Sequence, residues 1–296
     1  MATAVFVGLA TLDIAYAVRR YPSEDSKTQA ADQFLGAGGP AANAAVTYAF
    51  LSARTPALVT ALGEHQLAQV IRRDLDDFGV APMDVTPGGA QRPPVSSIVV
   101  ATESGTRTIV SLDGSEISAP FRPTQLGPLN DADLVLIDGH YPELALGFAR
   151  AARESGVPVL LDAGRWRPVH AELLALTDIA ICSSAFAPPG TGGGPDEVFD
   201  HLHRQGVRQA AITQGGNAIR YSEADRRDEI TLPPAPAIDT LGAGDILHGA
   251  FCHFHCAGHS FPEALRAAAA IATASCAYLG TREWMRHQPK SLPHSG

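Results

Sequence analysis

Asp133-Leu-Val-Leu-Ile-Asp138 and Val157-Pro-Val-Leu-Leu-Asp162, with the helical stretch Glu143–Ser155 between them, decide the fold. Each run is short, almost wholly apolar and closed by a carboxylate. Continuous Val, Leu and Ile suit a strand covered on both faces, whereas a half-exposed strand alternates apolar with polar. Two such strands joined through a helix make a parallel pair. The pattern continues downstream in Ile179–Cys182 and Ala210–Thr213, with helices expected over His170–Thr177 and Asp196–Gln205. It also runs upstream in Ala4–Leu9 and Ala57–Leu62, followed by a helix over His65–Phe78. The expected class is α/β, with a doubly wound, mostly parallel central sheet flanked by helices.

Two segments break the pattern. Leu12–Phe34 is polar, alternates over Ile14–Val18 and is interrupted by Tyr21-Pro-Ser-Glu-Asp-Ser26. It reads as exposed antiparallel strands. Val95–Thr102 and Thr106–Asp113 read as a hairpin around Glu103-Ser-Gly105. The two pieces share a character and are expected to pair as one small β lid. The division is then a core of residues 1–11, 36–91 and 116–296, and a lid of 12–35 and 92–115. Gly36-Ala-Gly-Gly-Pro-Ala-Ala-Asn43 opens an Ala-rich helix to about Leu51, and the Pro/Gly-rich stretches Pro87–Pro94 and Pro188–Pro195 read as a turn and a surface loop.

Composition narrows the function. The chain has 296 residues, 45% of them apolar, enough for one large core or two small ones. Lys+Arg 22 against Asp+Glu 31 gives a net charge of −9, a poor match to a nucleic-acid backbone, so no nucleic-acid partner is expected. The 4 cysteines (Cys182, Cys252, Cys256 and Cys276) are too few for a disulfide framework. The N-terminus lacks a basic region and a long apolar run, and Ala264–Gly280 is too weakly apolar to span a bilayer. A cytoplasmic protein without a membrane partner is expected.

The chemistry concentrates in Asp239-Thr-Leu-Gly-Ala-Gly-Asp245, which precedes the apolar helical run Ile246–Cys256. Small residues admit close approach of a ligand to the backbone, and a helix start presents unpaired N–H groups to an anion. A carboxylate beside such a nest suits phosphoryl transfer: the nest holds the moving charge, and the carboxylate takes the proton of the accepting hydroxyl. Taken alone, Asp245 reads first as an ordinary acidic residue at a helix N-terminus.

The motif resembles the C-terminal signature of the ribokinase-like, or PfkB, carbohydrate kinases, and Gly38-Gly39-Pro-Ala-Ala-Asn43 resembles their N-terminal one. The likeness covers essentially the whole chain. It implies an ATP- and Mg²⁺-dependent kinase acting on a hydroxymethyl group of a small sugar or polyol, with a ribokinase-like core and a β lid. Asp245 would be the base, and Gly242, Ala243 and Gly244 would form the anion hole. Asp13, Gly39, Asn43 and Asp138 would bind the acceptor; Arg107, beside the expected lid turn, reads either as closing over the acceptor or as a solvated surface residue. The nucleotide would meet Ser183, Thr213 and Gly215, with Asp239 and Thr240 supporting its loop and a monovalent-cation site beside it. A homodimer through the lid is expected.

The chain departs from the pattern in two places. Thr213-Gln-Gly215-Gly-Asn-Ala218 ends in alanine where the family has glycine. Ser183-Ser-Ala-Phe186 stands where the family has Asn-x-x-Glu, which supports Mg²⁺, so no dedicated metal residue is expected. Ketohexokinases, also lacking a clean copy, are the nearest likeness in Tyr21–Ser26 and Ser104–Val110. The stretch after Asp138 resembles sulfofructose kinases, but His140 replaces their anion-clamping Arg. An unphosphorylated acceptor follows, with a nucleoside kinase or a weakly catalytic sugar sensor as alternatives. A dinucleotide fingerprint in the segment from Gly36 leaves Asn43 unexplained. Cys252 and Cys256, four apart in an apolar helix, read as core and not as a zinc site. Arg165 and Arg167 read as the surface start of a helix.

Overall fold

The structure is a computed structural model describing residues 3–112, 114–223, 226–233, 235 and 237–287. Asp113, the end of the expected hairpin arm, lies outside them, as do Pro234 and Pro236 ahead of the Gly-rich motif. The central sheet has nine strands, in the order Arg226–Ile230, Ile219–Glu223, Gln209–Thr213, Ile179–Ser183, Val159–Ala163, Leu134–Ile137, Ala4–Val7, Ala57–Thr60 and Ala81–Asp84. It is parallel from Gln209–Thr213 through Ala81–Asp84, and the first two strands form an antiparallel hairpin against it.

Alternation of side chains divides each central strand between two cores. Phe6, Leu58, Leu134, Leu136, Leu160 and Ile181 pack under helices Pro40–Ser52, Ala243–Cys256 and Phe261–Ser275. Val5, Val59, Val135, Ile137 and Leu161 face the other way, onto helices Pro142–Glu154 and Pro195–Arg204. Both faces being covered is why these strands read as continuous apolar runs.

Small residues on the first face bring two helices unusually close. A Cβ on Gly249 would sit 2.2 Å from the carbonyl oxygen of Ala44, so helix Ala243–Cys256 lies against helix Pro40–Ser52 nearly backbone to backbone. That approach is what carries Asn43 to Asp245.

The expected β pieces do pair. The small sheet runs Asp32–Gly38, Thr11–Val18, Val95–Ala101, Thr106–Leu112. Two details differ from expectation. The pairing that joins the two pieces, Leu12 to Val95 through Val18 to Ala101, is parallel. Strand Thr11–Val18 is also largely buried, because Ala15 packs with Ile98, Val100 and Leu241 into a small core of its own. The exposed character belongs to Thr106–Leu112, where Ile109, Val110 (70% exposed) and Leu112 stand in solvent.

Three strands had no sequence expectation: Ala81–Asp84 and the hairpin Ile219–Glu223/Arg226–Ile230. They lie at the sheet's two edges. An edge strand tolerates Pro82, and charges such as those of Arg226-Arg-Asp-Glu229 blunt an open edge, so neither reads as a buried strand. Among the described residues no helix is long and apolar enough to cross a membrane.

Candidate active site

A cleft of about 480 Å³ lies between the small sheet and the C-terminal ends of the parallel strands. It gathers Asp13, Gly39, Asn43, Arg107, Ser183, Thr213 and the run Gly242–Asp245, from segments far apart in the chain. This is the edge where an open α/β sheet presents loops and helix starts to a ligand. A wider hollow at the opposite ends of the strands, lined by His203, Arg208 and Glu223, holds none of these residues.

Asp245 sits in the first turn of Ala243–Cys256. Gly242 precedes it with φ 65°, a left-handed conformation that suits glycine, and a Cβ there would fall 2.6 Å from Thr281 Cγ2. Nothing caps this helix. The next helix, by contrast, is closed by a Ser260–Glu263 capping box, with the Ser260 N–H donating to Glu263 Oε2 at 3.0 Å. No side chain takes the N–H groups at the start of Ala243–Cys256; the Ala243 N–H reaches the Thr240 carbonyl at 3.3 Å, and Gly244 faces open space where a Cβ would meet nothing within 4 Å.

The carboxylate of Asp245 accepts a hydrogen bond from Asn43 Nδ2 at 2.8 Å. Its pKa is pushed up to about 7, first by burial and then by the nearby carboxylate of Asp162, against the opposing pull of Asn43 and His248. Asp162 closes the strand Val159–Ala163 and is itself raised by burial. His248 Nδ1 lies 3.4 Å from Asp162 Oδ2 and 2.7 Å from the Gly244 carbonyl, while its Nε2 lies 3.1 Å from the Ile181 carbonyl. A carboxyl poised near neutrality at the wall of a cleft has the makings of a general base.

The glycines of the N-terminal motif make room for a second carboxylate. A Cβ on Gly38 would land 2.0 Å from Asp13 Oδ2, and one on Gly39 (φ 94°) 2.5 Å from the Leu9 carbonyl oxygen. Asp13 is 5% exposed, takes the Thr11 hydroxyl at 2.7 Å, and is raised by burial, which outweighs that bond.

Asp138 differs from these residues. It is buried below the cleft and does not line it, with Leu9 N at 2.8 Å and Ala41 N at 3.3 Å on Oδ2, and His140 N at 3.0 Å on Oδ1. Burial pushes its carboxyl up, but the His140 imidazole 3.2 Å away and the backbone donors prevail and hold it below the ordinary range. Gly8 is required here, since its Cβ would overlap that carboxyl at 2.2 Å.

At the far end, Ser183 and Thr213 line the cleft from adjacent strand ends. The Ser183 hydroxyl donates to the Gly164 carbonyl and accepts from Ala185 N at 3.1 Å; Thr213 Oγ1 donates to the Cys182 carbonyl at 3.3 Å. Gly215 turns the chain just beyond, at φ 62°, off the cleft wall. Asp239 also stands off the wall, spending its oxygens on the N–H groups of Leu241 and Gly280, each at 2.9 Å. Thr240 accepts a hydrogen bond from the Arg107 guanidinium, tying the small sheet to the Gly-rich loop.

Sequence reasoning missed four contributors. Asp162 carried a signal, as the carboxylate closing an apolar strand at the ligand edge. Arg167, read as surface, lines the cleft, and so does His248 from inside the apolar helix. Arg282, behind Asn43, follows the last long helix with no pattern to mark it. Cys252 is buried in the core beside Phe251 and its thiol is raised by burial.

Residues 1–288 match the profile of the pfkB family carbohydrate kinase. The chain is 30% identical over 284 residues to the ribokinase of Arabidopsis thaliana, covering 91% of this chain and 74% of that one. It is 24% identical over 287 residues to the ketohexokinase of Mus musculus, covering 93% and 96%. The structure of Arabidopsis thaliana ribokinase complexed with ribose and ATP superposes with a TM-score of 0.79 at 26% identity, over 95% of this chain and 94% of that one. With a parallel core, a small β sheet over the cleft and both glycine motifs meeting inside it, the chain belongs to the pfkB family of carbohydrate kinases.

Proposed function

We propose that the protein transfers the terminal phosphoryl group of ATP to a hydroxymethyl group of a small unphosphorylated sugar or polyol. The observation that carries this is the Asp245 carboxyl, in the cleft, beside an uncapped helix start and held by Asn43. Bound ATP supplies the phosphoryl group. Asp245 takes the proton of the acceptor hydroxyl, and the helix start formed by Gly242, Ala243 and Gly244 faces the charge that moves, with the Ala243 N–H shared with the Thr240 carbonyl at 3.3 Å. Asp13, Gly39 and Asn43 read the acceptor's other hydroxyls, while Asp138 holds Leu9 and the start of helix Pro40–Ser52 at Ala41 in place beneath them. Ser183 and Thr213 flank the nucleotide, Gly215 turns the chain next to them, and Asp239 braces the Gly-rich loop.

Among the described residues no three or more His, Cys, Asp or Glu cluster to hold a metal. Mg²⁺ would be held mainly by the nucleotide phosphates and would neutralise their charge, since this reluctantly dehydrated cation needs at most one or two protein carboxylates. A monovalent cation near Asp239 has little support, because the carboxylate is already engaged by backbone donors. The site of ATP use is the cytoplasm, and a second copy of the chain covers the apolar strand Thr106–Leu112.

None of the described residues lining the cleft is Phe, Tyr or Trp, which favours a sugar over a nucleoside that would stack its base. A second reading has its own observation: Arg107, His140 and Arg167 all line the cleft, and such cations suit an anionic acceptor. Kinetics of ADP release with ketoses, ribose, cyclitols, nucleosides and sugar phosphates separate the readings. The first expects an unphosphorylated sugar to lead by more than about tenfold in kcat/KM, worth about 1.4 kcal/mol. A lead of that size for a sugar phosphate establishes the second reading instead.

A further inference from the structure

Arg282 is a buried cation, 7% exposed, far in the chain from both glycine motifs. A buried guanidinium is costly unless its N–H groups find partners, and here the two terminal nitrogens do while Nε has none among the described residues. Here Nη1 donates to Asn43 Oδ1 at 3.0 Å and to the Thr281 hydroxyl at 2.7 Å. Nη2 donates to the Ala37 carbonyl at 2.7 Å and pairs with Asp74 Oδ2 at 3.1 Å, and the planar group lies over the Phe78 ring at 5.2 Å. Asp74 alone would balance the charge. The bond to Asn43 is the one that reaches the cleft.

An arginine has donors and no acceptor, so it can bind only the oxygen of an amide. With Oδ1 of Asn43 held by Arg282, its NH₂ is turned to Asp245 Oδ2 at 2.8 Å. The flipped amide would set NH₂ against the guanidinium and oxygen against the carboxylate, losing both bonds. We propose that Arg282 is a positioning residue for phosphoryl transfer, locking the Asn43 amide so that it donates to Asp245 and leaves the other carboxylate oxygen for the acceptor hydroxyl. This rests on Asp245 acting as the base. The same guanidinium holds the Ala37 carbonyl, so one group contacts both the Asn43 amide beside the base and the strand end that carries Gly38.

A fixed N–H donor favours the ionised carboxylate, so its loss moves the rising limb of kcat against pH to higher pH. The charged groups facing Asp245 are Asp162 from its strand end, His248 on its own helix and Asp13 from the small sheet. Arg107, His140 and Arg167 line the same cleft. Arg282 also lowers Asp13 through its charge, and lysine keeps that charge.

The test compares Arg282→Lys with Asp74→Asn, using pH profiles of kcat, KM for ATP and thermal melts. Lysine keeps the charge beside Asp74 but lacks the fork that serves Asn43 as well. Arg282→Lys is expected to lower kcat about tenfold to a hundredfold, on the order that misplacing a reacting group by about 1 Å costs. Its limb shifts upward and KM for ATP is unchanged. Asp74→Asn removes the ion pair and leaves the Asn43 bond, so it is expected to melt earlier while keeping the wild-type limb. Should Arg282→Lys fail to fold, Asp74→Asn still decides: a displaced limb there means that Arg282 acts only through packing. A wild-type kcat and limb in Arg282→Lys overturns the proposal, and does so independently of the base assignment provided Asp245→Asn is still inactive.

Discussion

The two ends of the cleft are built differently. At the acceptor end, Asp13, Asn43 and Asp245 are buried or nearly so and each has a named partner, and three glycines exist to make room: Gly8 for Asp138, Gly38 for Asp13 and Gly39 for the Leu9 carbonyl. At the nucleotide end, Ser183 and Thr213 sit at strand ends facing outward, and their hydroxyls bond only neighbouring backbone. One end is fixed before any ligand arrives; the other is an open shelf. Preorganisation counts where charge develops in the reaction, and a nucleotide carries enough phosphate and ring surface to be held by a looser frame. Substitutions at the acceptor end should therefore act on kcat and folding together, and those at the nucleotide end on KM for ATP alone.

The largest test of that contrast is Gly38→Val. Its Cβ would occupy the Asp13 carboxylate, 2.0 Å away, in a site with little room to yield. Overpacking of this kind costs about 1–3 kcal/mol. Both the melting temperature and turnover should fall, with KM for the acceptor raised; a variant with normal acceptor kinetics would show that the end is less rigid than described.

Next is the stability of Asp245→Asn. A carboxyl whose folded pKa is raised favours folding while protonated. That contribution is complete below the unfolded value of about 4 and is lost as pH rises through the folded value. Here burial and Asp162 set the folded value at about 7. Asparagine is free of this penalty, so at pH 8 the variant should be more stable on the order of 1 kcal/mol, in the range of functional sites that trade stability for activity. The gain should shrink toward pH 4. Melts that show no pH-dependent difference would mean that Asp245 is solvated in the folded chain.

At the nucleotide end, Thr213→Ala should raise KM for ATP by no more than about tenfold, the worth of one hydrogen bond at about 0.5–1.5 kcal/mol. Acceptor KM and melting should stay as in the parent. A collapse of kcat would erase the distinction between the ends. Smallest in its effect on catalysis is Val110→Asp on the exposed strand Thr106–Leu112. If a second copy covers that strand, sedimentation should show a dimer in the parent and a monomer in the variant, with kinetics little changed. A parent that sediments as a monomer would leave the strand without that role.

The contrast also explains what the sequence made legible. The apolar runs at Leu134–Ile137 and Val159–Ala163 and the two glycine motifs could be read directly, because double-sided burial and close backbone approach restrict residue choice strongly. Asn43 and Asp245 lie in those motifs, and Asp13 followed from the family resemblance they carry. The edge strands Ala81–Asp84 and Arg226–Ile230 could not be read, since an edge accepts proline and charge. Arg282 and His248 were hidden for another reason. Their roles come from contacts made across more than sixty residues of chain (His248 to Ile181, |i−j| 67; Arg282 to Asn43, |i−j| 239), and no local period encodes such a contact. Asp138 shows the converse: a motif-like carboxylate at a strand end that the fold uses to hold Leu9, Ala41 and His140 in position.

The most direct measurement of the central claim is ATP-dependent turnover of Asp245→Asn at saturating sugar, beside nucleotide binding measured on the same sample. The side chain is nearly isosteric, so the folded cleft and nucleotide affinity should persist while kcat drops about 10²–10⁴-fold, the loss expected on removing a general base. Wild-type turnover in this variant would contradict the account, leaving Asp245 an acidic residue that does no more than favour the start of its helix.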